Sequence, residues 1–134
     1  MKLFKGKIII LFLILFSTAF ATAYIYDVQG RSESGDVKIH WRTQQENNLD
    51  HFAIERKSGS QGSYMEIKTI DPKGDNSVYD FIDRSAYKSN DVYFVYRIKI
   101  VDKNKQVSYS EEITVAPVIS GVKRTWGSIK ALFR

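Results

Sequence analysis

The sequence contains no cysteine, and it has only two histidines among its 134 residues. Without cysteine, the chain has no disulfide, no thiolate metal ligand, no cysteine nucleophile and no lipid-modified cysteine after a signal peptide. Packing of apolar side chains must therefore hold any folded domain together.

The two histidines give no indication of a metal site. His40 and His51 both fall on strand faces that alternate away from the predicted core, and no metal-ligand spacing accompanies them. We expect solvated or edge side chains without an evident partner, and we predict no zinc site.

Acidic residues are present, but their spacing matches no known catalytic or calcium motif. Glu46 and Asp50 would serve as the paired carboxylates of a glycosidase only in a cleft that held them about 5 to 10 Å apart. The acidic stretch further on lacks the alternating ligands and terminal glutamate of an EF-hand; it contains Asp71, Asp75, Asn76 and Asp80. Ordinary turn chemistry explains it.

Other catalytic signatures are also missing from the sequence. Between Gly30 and Val115 there is no nucleophile with its base, no glycine-rich phosphate loop and no helical pattern long enough to carry a cofactor site. We therefore expect a protein that is not an enzyme and binds no cofactor.

The N-terminal residues have the pattern of a signal peptide. Lys2, Lys5 and Lys7 precede an apolar run from Ile8 to Phe20, and Ala21-Thr22-Ala23 supplies the small residues that signal peptidase requires. The apolar run is 13 residues long, whereas a membrane-spanning helix needs roughly 20. We predict a signal peptide over residues 1–23, cleaved after Ala23; the alternative is an uncleaved anchor. Export without disulfides fits a bacterial source.

The formal charge of +5 is partly a property of the signal peptide, because its three lysines leave +2 after cleavage. Four of the remaining basic residues lie in the last twelve, so that residues 24–122 carry a charge of −2. Phosphate neutralisation needs a basic face on the fold itself. We expect no nucleic-acid partner.

From Tyr24 to about Val115, short runs of β-forming residues alternate with turn residues, which predicts an antiparallel all-β sandwich. Val37, Ile39 and Trp41 show the period of two most clearly. The seven predicted strands are Tyr24–Gln29, Asp36–Thr43, His51–Lys57, Ser63–Ile70, a short strand at Tyr79 and Phe81, Val92–Asp102, and a last strand from Val107 to Val115.

The alternation also predicts the core and the irregular points. The predicted core residues are Trp41, Phe52, Ile54, Phe94, Tyr96 and Ile98, with Met65 and Ile67 as further candidates. We expect a turn from Gly30 to Gly35, because glycine can supply a positive φ there. Glu111 would share the apolar face of the last strand, so we expect an exposed edge or a β-bulge near Ser110.

The last segment, residues 118–134, changes character and predicts a short amphipathic helix. One face is apolar and basic residues flank it, which is the composition of a helix that lies on an anionic membrane. The possible membrane or partner contacts are Lys123, Arg124, Trp126, Ile129, Lys130, Phe133 and Arg134. A frayed terminus, or a helix packed over an open sheet edge, remains an alternative.

Several segments in order resemble the fibronectin type III-like modules of secreted and surface proteins in Bacteroidetes and related bacteria. They are Ile39–Thr43, Glu46–Asn48, Phe52–Arg56, Tyr96–Asp102 and Tyr109–Ser110. The resemblance covers about residues 28 to 115 and implies an immunoglobulin-like sandwich over residues 24–117. It also implies a core role for Trp41, a sandwich-locking role for Tyr96, and a role for Glu46–Asn48 in shaping the connection into the third strand.

Together these observations predict an exported, non-enzymatic binding or structural module in the periplasm, at the cell surface or in the medium. Its expected partner is a protein or glycan at the cell envelope, engaged through loops or by strand addition at an open edge. The alternative is a peripheral membrane component attached through the basic tail.

Overall fold

The structure is a computed structural model that describes residues 23–86, 93–117 and Leu132. The predicted signal peptide, apart from Ala23, and the predicted tail helix, apart from Leu132, lie outside the described residues. The described strands are β1 (Tyr24–Glu33), β2 (Asp36–Gln45), β3 (Leu49–Ser58), β4 (Met65–Ile70), β5 (Val78–Asp83), β6 (Phe94–Asp102), β7 (Val107–Tyr109) and β8 (Ile113–Val115).

The strands form two sheets, and every paired neighbour is antiparallel. The first sheet has the order β1-β2-β5. The second has the order β4-β3-β6-β7, with β8 also paired to β6. The chain crosses from one sheet to the other after β2, β4 and β5. The strands on either side of each crossing therefore belong to opposite sheets, whose apolar faces pack against each other. The antiparallel all-β prediction is confirmed.

The predicted last strand is two segments, so the described residues hold eight strands rather than seven. Lys99 pairs with Tyr109, but Tyr96 pairs with Ile113, which leaves one extra residue on the outer chain. Ser110 fills the gap: its backbone N–H donates to the Ile98 carbonyl, and its Oγ accepts from the Ile98 N–H, both at 2.8 Å. This is a β-bulge, and it reverses the side on which the later residues point.

The first strand is longer than predicted, because Gly30 continues β1 and the turn falls at Ser34 and Gly35. Gly30 is required by close packing rather than by a turn. A Cβ there would lie 2.6 Å from Ile113 Cγ2 and 2.9 Å from Val115 Cγ2. Glycine therefore lets β1 approach β8 across the side of the sandwich.

Aromatic side chains dominate the interior between the sheets. Trp41 and Tyr79 stack with ring centroids 5.0 Å apart and planes 3° apart, and Phe52 meets both rings edge-on. The six residues assigned to the core from the sequence are all buried: Trp41, Phe52, Ile54, Phe94, Tyr96 and Ile98. In a domain without disulfides, burial of this apolar layer is the main stabilising contribution.

The expectation that Met65 lies in the core is wrong, since its side chain is 65% exposed. Met65 begins β4, the outermost strand of its sheet, opposite Arg56. Ile67 and Ile70 are partly buried and pack against the core. Ile54 pairs with Lys68 but Glu55 pairs with Glu66, so β4 has one extra residue between Met65 and Ile70. This bulge, which periodicity does not reveal, ends the shared face of Met65 and Ile67.

Candidate functional site

A surface depression lies on the open side of the sandwich, between β1 and β7. These strands end their respective sheets, and β8 brings the same side of the second sheet against β1. The depression encloses about 490 Å³, and we call it the β1–β7 groove. Its lining residues are Ala23, Tyr24, Ile25, Tyr26, Asp27, Val28, Ile100, Ser108, Tyr109, Ser110 and Glu111.

Two tyrosines of β1 border the groove with much of their surface in solvent. Tyr24 is 54% exposed and Tyr26 42%, while Ile25 between them packs against the core. The alternation of the strand thus turns both rings outward. Their centroids are 6.4 Å apart and their planes differ by 22°, so the two rings form a pair.

A third tyrosine, Tyr109 on β7, packs against the cationic side chain of Arg97. The Arg97 guanidinium lies 3.8 Å from the ring centroid of Tyr109 and 3.8 Å from that of Tyr64. Arg97 is itself fixed by Glu55, which accepts from Nε at 3.3 Å and from Nη2 at 3.1 Å. Packing against the partly buried Arg97 orders the Tyr109 ring, although that ring is 48% exposed.

Tyr64, the other ring that packs on Arg97, is also held in place by a hydrogen bond. Tyr64 donates its hydroxyl to Glu112 at 2.7 Å. Burial, followed by this hydrogen bond, raises the pKa of Tyr64 to about 12. Tyr64, Arg97 and Tyr109 therefore form an ordered layer on the outer face of the second sheet, and it ends at the groove.

The β1 edge of the groove is interrupted by a bulge at Asp27. Tyr26 pairs with Arg42 but Gln29 pairs with His40, so one residue is extra on β1. Asp27 adopts a φ of 53°, a left-handed conformation that few non-glycine residues occupy. Its carboxylate lies 3.3 Å from Arg42 Nε.

Both histidines have carboxylate neighbours, which the sequence did not indicate. His40 Nδ1 is 2.9 Å from Asp80 and His51 Nδ1 is 2.6 Å from Asp50. These bonds lower the pKa of each aspartate, with the histidine as the largest cause in both. Within the described ranges no group of three or more histidine, cysteine, aspartate or glutamate side chains is arranged to hold a metal ion.

Glu46, one of the two carboxylates weighed for catalysis, serves to tie loops together. It accepts from the hydroxyls of Tyr79 and Thr43 and from the Gly74 N–H. Burial, and then the bond to Glu46, raises the pKa of Tyr79. The loop after β2 is thereby fixed to the loop before β5.

Tyr96 closes a second buried network at the opposite end of the sandwich. Its hydroxyl donates to Asp83 at 2.8 Å, and Arg56 Nη1 reaches the same oxygen at 2.6 Å. Burial would raise the pKa of Asp83, but hydrogen bonds from Ser85, Tyr96 and Arg56 outweigh it and hold the pKa below its usual range. Burial and then Asp83 raise the pKa of Tyr96.

The functional candidates from the sequence and from the structure do not coincide. The tail residues 123–134 named as possible contacts lie outside the described part. The groove tyrosines Tyr24, Tyr26 and Tyr109 were not among the contact residues predicted from the sequence. Only the strand order, which makes β1 and β7 neighbouring edges, brings them together.

Comparison with solved structures gives the class of fold. The crystal structure of a Fn3-like protein from Clostridium thermocellum matches with a TM-score of 0.51 at 14% identity, covering 75% of this chain and 98% of that one. Pectate lyase Pel3 from Pectobacterium carotovorum matches with a TM-score of 0.49 at 19% identity, covering 69% of this chain and 28% of that one. The fold is fibronectin type III-like.

No protein-family model matches the sequence, and no curated protein matches it significantly. Among the described residues, no helix has the length and apolar character to cross a membrane.

Proposed function

We propose that the chain is an exported, non-enzymatic binding module that engages a protein or glycan at the cell envelope through the β1–β7 groove. The observation that supports this is the exposure of Tyr24, Tyr26 and Tyr109 around one depression. Large aromatic rings carry most of the binding energy at recognition surfaces. Rings left in solvent at one place therefore indicate a contact surface.

The proposed absence of catalysis is supported by the hydrogen bonds of two carboxylates, Glu46 and Asp83. Glu46 accepts hydrogen bonds from Thr43, Tyr79 and Gly74, and Asp83 is bonded to Arg56, Tyr96 and Ser85. A general base needs a free electron pair aimed at a substrate proton. The oxygen electron pairs of these two carboxylates accept hydrogen bonds from other groups of the protein.

Export rests on the N-terminal sequence, with its lysines, its 13-residue apolar run and its Ala21-Thr22-Ala23 segment. The proposed destination is the periplasm, the cell surface or the medium. Localisation of a tagged full-length chain, with Ala23→Trp as the variant that blocks cleavage, tests this part. A full-length, unprocessed wild-type protein would contradict it.

The function test is capture from the envelope fraction of the source organism with immobilised chain from Tyr24 onward. We expect the wild type to retain material that the variant Tyr24→Ala/Tyr26→Ala/Tyr109→Ala does not, and to release it unchanged in mass. Pretreating the extract with protease or with periodate separates protein from glycan partners.

The matched control is Val78→Ala/Ile82→Ala, which removes two exposed apolar side chains, 45% and 44% exposed, from the other edge strand of the first sheet. It should retain the same material as the wild type. Equal retention by the tyrosine variant would refute the groove as the binding surface. Chemically altered material would indicate an enzyme.

A second proposal rests on the tail sequence, where Trp126 and Phe133 accompany Lys123, Lys130 and Arg134. Such a segment would attach the domain to an anionic membrane surface. Flotation with anionic vesicles, with and without residues 118–134, tests it. Flotation that disappears on truncation supports attachment, and no flotation of the longer chain rejects it.

A further inference from the structure

The chemistry of the groove lining is more specific than that of a general contact surface. Beside the three exposed tyrosines, the lining includes the carboxylates of Asp27 and Glu111 and the hydroxyl of Ser108. The Ser110 hydroxyl is already used by the backbone, since it accepts from the Ile98 N–H and donates to the Glu111 carbonyl. The lining combines flat apolar rings with several hydrogen-bond acceptors and hydroxyl groups. A ligand that fits must itself be apolar on its faces and rich in hydroxyls at its edges.

The edges of the groove are unsuited to an added peptide strand. On one side, the bulge at Asp27 breaks the ladder spacing of β1 within the stretch that lines the groove. On the other, β7 is three residues long and is followed by the bulge at Ser110. Bulges and charges of this kind are how sheet edges avoid pairing with other chains.

The charges of the groove argue against an anionic ligand. Its lining includes two carboxylates and no lysine or arginine. Two arginines beside it are engaged, because Arg42 lies 3.3 Å from Asp27 and Arg97 is bound to Glu55. A ligand carrying carboxylate or sulfate groups would meet repulsion with no compensating cation in the lining.

From these three observations we infer that the β1–β7 groove binds a neutral oligosaccharide, with sugar-ring faces against Tyr24, Tyr26 and Tyr109 and hydroxyls bonded to Asp27, Glu111 and Ser108. This inference rests on the proposed binding function and narrows its partner class. The carbon–hydrogen faces of pyranose rings pack on aromatic faces, and their equatorial hydroxyls donate to carboxylates.

The Arg97 layer prepares the site for such a ligand. The Tyr109 ring packs against the Arg97 guanidinium, 3.8 Å from the ring centroid, and is otherwise partly in solvent. The guanidinium is itself held by Glu55 and by the ring of Tyr64. A ring that is ordered before binding loses little conformational freedom when a sugar packs on it. Arg97 is a positioning residue in this arrangement.

The test is binding to a printed array of neutral gluco-, xylo-, manno- and N-acetylglucosamine oligosaccharides of increasing length, followed by titration calorimetry. Uronic-acid oligosaccharides form a second arm and a library of extended peptides a third. The variants are Tyr24→Ala/Tyr26→Ala, the conservative Tyr24→Phe/Tyr26→Phe, and the control Val78→Ala/Ile82→Ala.

We expect the wild type to bind one neutral series, the alanine variant to bind it at least about tenfold more weakly, and the phenylalanine variant and the control to bind nearly as well. Arg97→Lys should weaken binding by a smaller factor while leaving the preferred series unchanged. Circular dichroism of each variant confirms that it is folded; Tyr109→Ala provides a second route if the double variant is not.

The other outcomes are distinguishable. Preference for uronic-acid chains, or binding only to peptides that the alanine variant loses, overturns the oligosaccharide inference and leaves the groove as a binding site. Binding in no arm, or binding equal in wild type and alanine variant, overturns both the inference and the groove proposal.

Discussion

The same aromatic residue types perform opposite roles in the interior and on the open side of this sandwich. Between the sheets, Trp41 and Tyr79 are fully buried and stacked 5.0 Å apart. On the open side, Tyr24 and Tyr26 pair with each other in solvent. Alternation along a strand and the location of a sheet edge decide which role a ring takes. Buried rings stabilise the fold, and exposed rings remain available for recognition.

The largest effect on the free energy of unfolding is expected from the buried aromatic residues between the sheets. Trp41→Ala should lower the free energy of unfolding by about 3 to 5 kcal/mol, a large share of a small domain's stability, because it opens a cavity beneath Tyr79 and Phe52. Trp41→Phe should cost less, since it keeps a ring against both neighbours. Urea unfolding followed by circular dichroism measures both. A negligible loss in the alanine variant would mean that the interior is not the main source of stability.

Next in size is the network at Tyr96. Tyr96→Phe removes the hydrogen bond to Asp83 but keeps the buried ring. A bond to a charged group contributes about 1.5 to 3 kcal/mol, so we expect a loss in that range. The matched control, Tyr109→Phe, removes a hydroxyl from an exposed ring and should change unfolding by less than about 0.5 kcal/mol.

The same network gives a pH dependence with a definite sign. The pKa of Asp83 is lower in the folded protein than the ordinary pKa of an aspartate. The stability it contributes is therefore complete above about pH 4 and is lost as the pH falls through the folded pKa. Asp83→Asn should be less stable than wild type at neutral pH, and the difference should shrink in acid. A difference that grew on acidification would contradict the assignment.

A comparable or smaller effect is expected at the contact between β1 and β8. Gly30→Ala should destabilise by about 1 to 3 kcal/mol, because the added methyl overlaps Ile113 and Val115. Combining it with Ile113→Ala should cost less than the sum of the two single changes, since the truncation makes room. Additive costs in thermal unfolding would show that the two strands are not in contact there.

The smallest expected effect on stability is on the open side. Tyr24→Ala/Tyr26→Ala should change the free energy of unfolding by no more than about 0.5 kcal/mol per site, although it removes two rings. Differential scanning calorimetry beside the Trp41 variants makes the comparison direct. A loss of stability as large as that of Trp41→Ala would show that these two exposed rings also stabilise the fold.

The sequence predicted the parts of the fold that depend on local periodicity. The alternation around Trp41 and Ile98 predicts strands with a buried face, and both residues are buried. It did not predict that Gly30 continues a strand, because a glycine before polar residues is typical of a turn and the contact with Ile113 is distant in sequence. Cleavage after Ala23 and the tail helix stay predictions.

The candidate site was less predictable than the fold. Tyr24 and Tyr109 are far apart along the chain, and each alone is an ordinary strand residue. Their proximity depends on which strands end the sheets and on the bulge at Ser110, which turns Tyr109 outward while Val115 turns inward. Neither property follows from the spacing of apolar residues within one strand.

The register of the outer strands also determines how the domain responds to tension. Tyr24 lies beside Gln45 at one end of the sandwich, whereas Val115 lies beside Phe94 at the other. A pull applied at Ala23 and Pro117 therefore runs along the strands. It loads the β1–β2 ladder in shear, so that the hydrogen bonds from Gln29 to Glu33, beyond the Asp27 bulge, resist together rather than one after another. A domain with this geometry can hold its fold while its chain carries a mechanical load.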